Sequence, residues 1–175
     1  MSTRKLFEFN IRDIYNRPGE MREFARTETL QEQWGEGLAK IPAGAAINAD
    51  VRLESVHEGI LATVSADAEA VAECGRCLRE FTETQEVAFT ELFAYNPSEA
   101  DEYGVHGDHV NLEPLLLNEF VLALPFQPVC RENCAGLDPE TGERLTEPAA
   151  ADAEKAVDPR WAALAEFSVA NDQDK

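Results

Sequence analysis

All four cysteines of the chain fall in two close pairs, Cys74-Gly-Arg-Cys77 and Cys130-Arg-Glu-Asn-Cys134, with none left over. Fifty-two residues lie between Cys77 and Cys130. Zinc takes four tetrahedral ligands with Zn–S bonds of about 2.3 Å, and soft thiolates suit it. A CxxC turn lets two sulfurs face one ion, and Gly75 is expected to relieve the backbone between them. The constraint on folding is severe: the region around residue 75 must meet the region around residue 132. Such a site would staple two distant segments, closing a long loop that burial alone stabilises weakly.

Three other readings of the cysteines compete. Disulfides are disfavoured where thiols stay reduced. A redox CxxC normally opens a helix after a strand, and here Glu73 and Glu80 disfavour a thiolate. Inert cysteines seldom arrive as two neat pairs. The expectation is therefore one structural zinc ion on Cys74, Cys77, Cys130 and Cys134, with a zinc-thiol redox or regulatory module as the alternative. Structure is favoured over catalysis, because four thiolates leave no open coordination position and no general base sits nearby in sequence. Arg76, Arg79 and Arg131 flank the pairs. They can offset the double negative charge of a four-thiolate zinc site or touch phosphate, and the first reading is preferred.

The charge is unevenly spread. The chain has 175 residues, 34 acids, 15 bases and a net charge of −19. Seven acids and seven bases lie within residues 1–40, so the remaining chain holds 27 acids against 8 bases. Nucleic-acid binding usually needs a basic footprint, because phosphate neutralisation supplies much of the affinity. Only the neutral arm offers one, as the series Arg4, Lys5, Arg12, Arg17, Arg22 and Arg26. The acidic remainder suits either solubility or attraction to a basic partner. No stretch approaches the roughly 20 apolar residues of a membrane-spanning helix, and residues 1–10 lack the apolar run of a signal peptide. A cytoplasmic location and no membrane partner are expected.

The hydrophobic pattern predicts an α+β protein: an antiparallel β-meander or small partly open barrel, with one longer helix and one short C-terminal helix. Leu6–Ile11 alternates as a short strand, and Arg17-Pro-Gly19 signals a turn. Residues 20–25 fit a helical turn or a loop, and residues 27–40 carry no clear pattern. From Ala49 the alternation sharpens into three or four strands ending near Phe93. A loop over Asn96–Asp108 follows, then a helix with Asn111 as N-cap, Pro114 in its first turn, and Leu112, Leu115, Leu116, Glu119, Phe120 and Ala123 on one face. Pro125 and Pro128 end it. Residues 148–156 read as a linker, Asp158–Phe167 as a short docking helix, and the tail should fray. The expected division is an accessory strand and arm over 1–48, a zinc-stapled core over 49–137, and linker, helix and tail over 138–175.

Other chemistry finds little support. His106-Gly-Asp-His109 reads as a solvated loop rather than a metal pair. Ser55, Ser65, Ser98 and Ser168 lack a nucleophile-elbow context, and no phosphate-binding loop occurs. No enzymatic activity and no small-molecule substrate are expected.

Several motifs together resemble the YceD family, the large ribosomal RNA subunit accumulation proteins. They are Glu73-Cys-Gly-Arg-Cys-Leu78 followed by Phe81, Glu91-Leu-Phe-Ala-Tyr95, Val121-Leu-Ala-Leu-Pro-Phe-Gln-Pro-Val-Cys130, Cys134-Ala-Gly-Leu137 and Asp158-Pro-Arg-Trp-Ala-Ala-Leu164, with the Arg17-Pro-Gly19 turn. The resemblance implies a non-enzymatic role in processing or accumulation of large-subunit ribosomal RNA. It implies as partner either the precursor RNA or a small basic ribosomal protein of the large subunit. The family's cysteine pairs carry over to Cys74, Cys77, Cys130 and Cys134. Many relatives continue with a further CxxCG, where this chain has Asp138-Pro-Glu-Thr141-Gly142; the lost pair is read as dispensable, since four cysteines remain. RNA or partner contact is assigned to Arg4, Lys5, Arg12, Arg17, Arg22, Arg26, Arg76, Arg79 and Arg131.

Overall fold

Strict alternation of buried and exposed residues through 46–73 gives two long antiparallel strands that anchor the structure. The computed structural model describes residues 6–96 and 103–146. Its elements are β1 (Glu8–Asn10), β2 (Met21–Thr29), β3 (Ala39–Lys40), β4 (Ala46–Ser55), β5 (Gly59–Glu73), β6 (Glu80–Ala94), β7 (His109–Asn111) and α1 (Glu113–Ala123). The chain forms two units, Met1–Cys134 and Ala135–Lys175. The expected linker over 148–156, the helix over 158–167 and the tail lie outside the described residues.

In the first unit β4, β5 and β6 are consecutive antiparallel neighbours, as the meander reading expects. β2 adds antiparallel to β4, and β3 pairs with β5 past the end of β4. A second, two-stranded sheet joins β1 to β7. Of the two expected forms the meander holds, and no closed barrel forms among the described residues: β2 and β6 end the larger sheet on opposite sides without pairing to each other. Residues 20–25, read as a helical turn or a loop, and the start of the patternless 27–40 instead form a nine-residue strand, Met21–Thr29. Its charge concealed it, since Phe24 is the one large apolar residue on the face that β4 turns to the core.

The core face of β5 is built from Ala62, Val64, Ala66, Ala68, Ala70 and Ala72, all buried. Small side chains there leave room above the sheet. Phe7, Phe9, Ile11, Ile14, Leu30, Trp34 and Ile41 fill that room and join one cluster with Leu112, Leu115, Leu116 and Phe120 of the helix segment. The first 48 residues are thus not accessory: their described part supplies many of the largest buried side chains. Burying each contributes roughly 1.5–3 kcal/mol.

Polar ties fix the connections. Arg17-Pro18-Gly19-Glu20 is a turn closed by Glu20 N–H donating to the Arg17 carbonyl at 3.0 Å, with Gly19 at φ 93°. A type II turn requires that left-handed residue. Tyr95 Oη accepts from the Asn16 N–H at 2.8 Å and lies 2.8 Å from Ser55 Oγ, the buried polar side chain beside this turn. The α1 cap position is Leu112 rather than Asn111. Asn111 still serves, its side-chain oxygen accepting from Glu113 N–H at 3.2 Å. The helix stops where Leu124 turns to ψ 133°, as a residue before proline must. Glu119 is only part-buried and Ala123 is exposed, so the apolar face is narrower than the spacing predicts.

The β4–β5 hairpin has one steric pinch. A Cβ on Gly59 would lie 2.1 Å from the Phe93 carbonyl oxygen of β6. Replacing Gly59 by Ala must push β5 and β6 apart and should cost about 1–3 kcal/mol, the usual penalty of overpacking. Urea unfolding of Gly59→Ala checks this; an unchanged midpoint would contradict the close strand approach.

Candidate metal centre

Each cysteine pair sits in a tight turn whose backbone is shaped by its neighbours. Cys74–Arg79 forms the connection between β5 and β6, so the first pair caps the meander's longest hairpin. Cys74 N–H donates to the Arg79 carbonyl at 2.8 Å, and Leu78 N–H to the Cys74 carbonyl at 2.9 Å. The left-handed residue here is Leu78, at φ 53°, not Gly75. The expectation that glycine relieves this turn is corrected. Gly75 instead brings the two turns together, its N–H donating to the Pro128 carbonyl at 2.9 Å. The second pair follows the prolines that end α1, and Cys134 N–H donates to the Arg131 carbonyl at 3.0 Å.

The four sulfurs converge. All lie within 4.8 Å of one another. Cys74 Sγ is 3.8 Å from Cys134 Sγ, and Cys77 Sγ is 3.7 Å from Cys130 Sγ. A tetrahedron of sulfurs around a zinc-sized ion, with bonds of about 2.3 Å, has edges of about 3.8 Å. The two closest distances match that edge, and each joins one pair to the other. None of the four is joined in a disulfide, and three of them are buried. They form a small apolar cluster of their own with Phe81 and Val129. The donor set, spacing and burial fit a metal ion held entirely by protein.

The thiols have been pulled apart in acidity. Burial pushes Cys74 up, but backbone N–H groups of Cys130, Cys77 and Arg76 outweigh it and bring its pKa down to about 6. Burial pushes Cys130 up, and hydrogen bonds among the other thiols raise it further, to about 12. Amide donors aimed at a sulfur stabilise a thiolate whether or not a metal shares the charge. Without metal, near neutral pH, Cys74 is ionised and Cys130 holds its proton.

The flanking arginines divide. Arg76 donates from Nη1 to the Glu132 carbonyl at 3.1 Å and the Cys134 carbonyl at 3.4 Å, clamping the second turn from the first. That also sets a positive charge beside the sulfurs. Arg79 and Arg131 are exposed, and both serve through their backbone carbonyls.

The arm's basic residues are not gathered at this site. Arg12 pairs with Asp108 at 3.5 Å, and Arg22 pairs with Asp13. Arg26 reaches Glu28 at 3.4 Å and lies 5.0 Å over the Phe9 ring. Arg17 is exposed in its turn. Arg4 and Lys5 lie outside the described residues. His106–His109 forms a tight hairpin turn leading into β7, closed by backbone hydrogen bonds at 2.9 and 3.2 Å.

In the second unit, the segment Asp138–Gly142 folds into a turn organised by a carboxylate. Asp138 Oδ1 accepts from the N–H groups of Glu140 and Thr141 at 2.8 and 2.9 Å, and Gly142 N–H donates to the Asp138 carbonyl at 2.8 Å. Those amide donors, Thr141 first, hold the Asp138 carboxyl below its usual range. A carboxylate organises this turn.

What the fold and site define is an acidic, mostly antiparallel-sheet protein, with one helix among the described residues and four cysteines converging at a hairpin tip. The chain belongs to the family described as large ribosomal RNA subunit accumulation protein YceD, which matches residues 62–168. It is 40% identical to an uncharacterized protein of Mycobacterium tuberculosis, over 90% of this chain and 79% of that protein. An uncharacterized protein of Mycobacterium leprae is 35% identical over 91% of this chain and 76% of its own length. The uncharacterized protein YlbN of Bacillus subtilis is 25% identical over 95% of this chain and 99% of its own. No solved structure matches the chain significantly. Among the described residues, no helix is long and apolar enough to cross a membrane.

Protein purified without added metal should carry about one divalent ion per four-cysteine set. A chelator should lower its melting temperature, and Cys134→Ser should abolish both the bound ion and the chelator effect. Metal affinity should fall as pH drops, because protons compete with the ion for the thiolates, and more steeply below about 6, where the metal-free Cys74 thiol also holds its proton. Binding at neutral pH should release the Cys130 proton. Elemental analysis and chelator-dependent melting across roughly pH 8 to 5 check these outcomes; a metal-free protein with unchanged melting would contradict them.

Proposed function

We propose that this protein is a non-enzymatic, cytoplasmic factor in ribosome biogenesis, supporting processing or accumulation of large-subunit ribosomal RNA by binding. Family membership carries the reading, through the role that the family's description states. Charge favours a small basic ribosomal protein over precursor RNA as the direct partner. The chain carries −19 overall, and Arg12, Arg22 and Arg26 are each engaged with acids of the same chain. Phosphate binding draws on cations that are free to replace counterions.

The metal in this reading is zinc, and its role is structural. Four thiolates saturate a tetrahedral ion and leave no position for water or substrate. The centre sets the shape of the hairpin tip and takes no part in chemistry.

Affinity-tagged protein in extract of its own cells should co-purify large-subunit precursors. Nuclease treatment separates the two modes. A basic ribosomal protein retained after nuclease supports direct protein capture. Recovery of RNA alone, weakened steeply by salt and by Arg17→Ala, would place RNA in direct contact instead. Recovery of neither ribosomal protein nor ribosomal RNA would sink the proposal.

A further inference from the structure

We infer that the outer edge of β6 is a docking site for an extended, basic segment of a partner protein, which adds to the sheet as a further strand. The inference deepens the protein-capture reading above and rests on it. It names the surface and the kind of segment that surface fits.

Over residues 80–93 the strand bonds to β5 on one side, and among the described residues no strand covers the other. At its end the edge does accept a neighbour: Ala94 bridges Gly104 in parallel, with Ala94 N–H donating to the Tyr103 carbonyl and Val105 N–H to the Ala94 carbonyl. At that end, main-chain groups on this side do take a pairing segment; α1 packs against β6 as well, and away from Ala94 no strand pairs with this side among the described residues. Long open edges attract other chains, and proteins usually blunt them. Strand addition to such an edge is a common way of binding an extended segment.

Charge specifies the occupant. β6 carries Glu80, Glu83, Glu86 and Glu91 and no basic residue. Two of these glutamates face acids across the sheet, Glu86 opposite Asp67 and Glu80 opposite Glu73. Like charges directly opposite are destabilising, and a basic strand laid beside β6 would relieve both pairs. Glu83 adds a specific demand, since its Oε1 is buried without a hydrogen-bond partner. An unpaired buried carboxylate oxygen is costly, and a lysine or arginine arriving along the edge can donate to it. The same glutamates disfavour a second copy of this chain, because pairing β6 with β6 would double the negative charge. The opposite edge, β2, differs. It mixes Arg22, Glu23, Arg26 and Glu28, and its arginines are already paired.

The test uses the full metal-loaded chain and three synthetic twelve-residue peptides: alternating Lys-Val, the same with alternate amides N-methylated, and alternating Glu-Val. Titration calorimetry should show the Lys-Val peptide binding. N-methylation should weaken it at least about tenfold, because strand hydrogen bonds are lost, and the Glu-Val peptide should not bind. Glu80→Gln with Glu86→Gln, two glutamates on one face of the strand, should weaken the Lys-Val peptide by about tenfold while leaving melting unchanged or raised. Amide hydrogen exchange should slow along β6 and not along β2. Equal binding of the N-methylated peptide, or protection confined to β2, would overturn the inference. If a basic ribosomal protein is captured from extract but the β6 amides stay unprotected in its complex, the edge assignment fails alone and protein capture stands.

Discussion

The convergence of four sulfurs between the β5–β6 turn and the segment after α1 is the contact on which the rest of this end of the molecule depends. Joining points separated by some fifty residues costs on the order of 4 kcal/mol in chain entropy. Little apolar burial is available to offset it, since the cluster around the sulfurs has Phe81 and Val129 as its only other apolar members. The main core lies elsewhere, among the aromatic residues of the first 41 positions, β5 and α1. In the proposed reading, metal–thiolate bonds would supply what burial does not. The backbone prepares for them through the amide donors on Cys74, the Gly75–Pro128 bond and the Arg76 clamp.

With its tip fixed in this way, the hairpin presents a long acidic strand at the edge of the sheet. Carboxylates directly opposite one another across a strand pair destabilise it. Here that happens at Asp67–Glu86 and at Glu73–Glu80. The arrangement lowers the stability of the isolated chain and increases the gain from a basic partner. A body at −19 would also speed encounter with such a partner and keep the free protein soluble. Charge, edge geometry and family membership are the observations behind the proposed binding role.

Much of this was legible in the sequence where a single physical rule dominates. The alternation in 49–73 gave β4 and β5, the prolines bounded α1, and the cysteine pairs announced their own convergence. The misses have physical causes. β2 was hidden because an edge strand can carry charges on its core-facing side, where Arg26 stacks on Phe9. The first 48 residues looked accessory because their buried residues are scattered between turns; Trp34 and Ile41, for instance, pair only through an isolated bridge. The strained residue of the first cysteine turn was assigned to Gly75, the usual carrier of a left-handed backbone, whereas Leu78 holds it. That Asp138 would organise the stretch after Leu137 through its carboxylate was not legible. The open edge of β6 could not be read at all, since strand order is a property of the folded sheet.

The central claim is that Cys74, Cys77, Cys130 and Cys134 enclose one zinc ion. Zinc-edge X-ray absorption on the protein as purified tests it most directly. The account predicts a single shell of four sulfurs at about 2.3 Å with no nitrogen or oxygen neighbour. A shell containing light-atom ligands, or no zinc signal from folded protein with four reactive thiols, would contradict it.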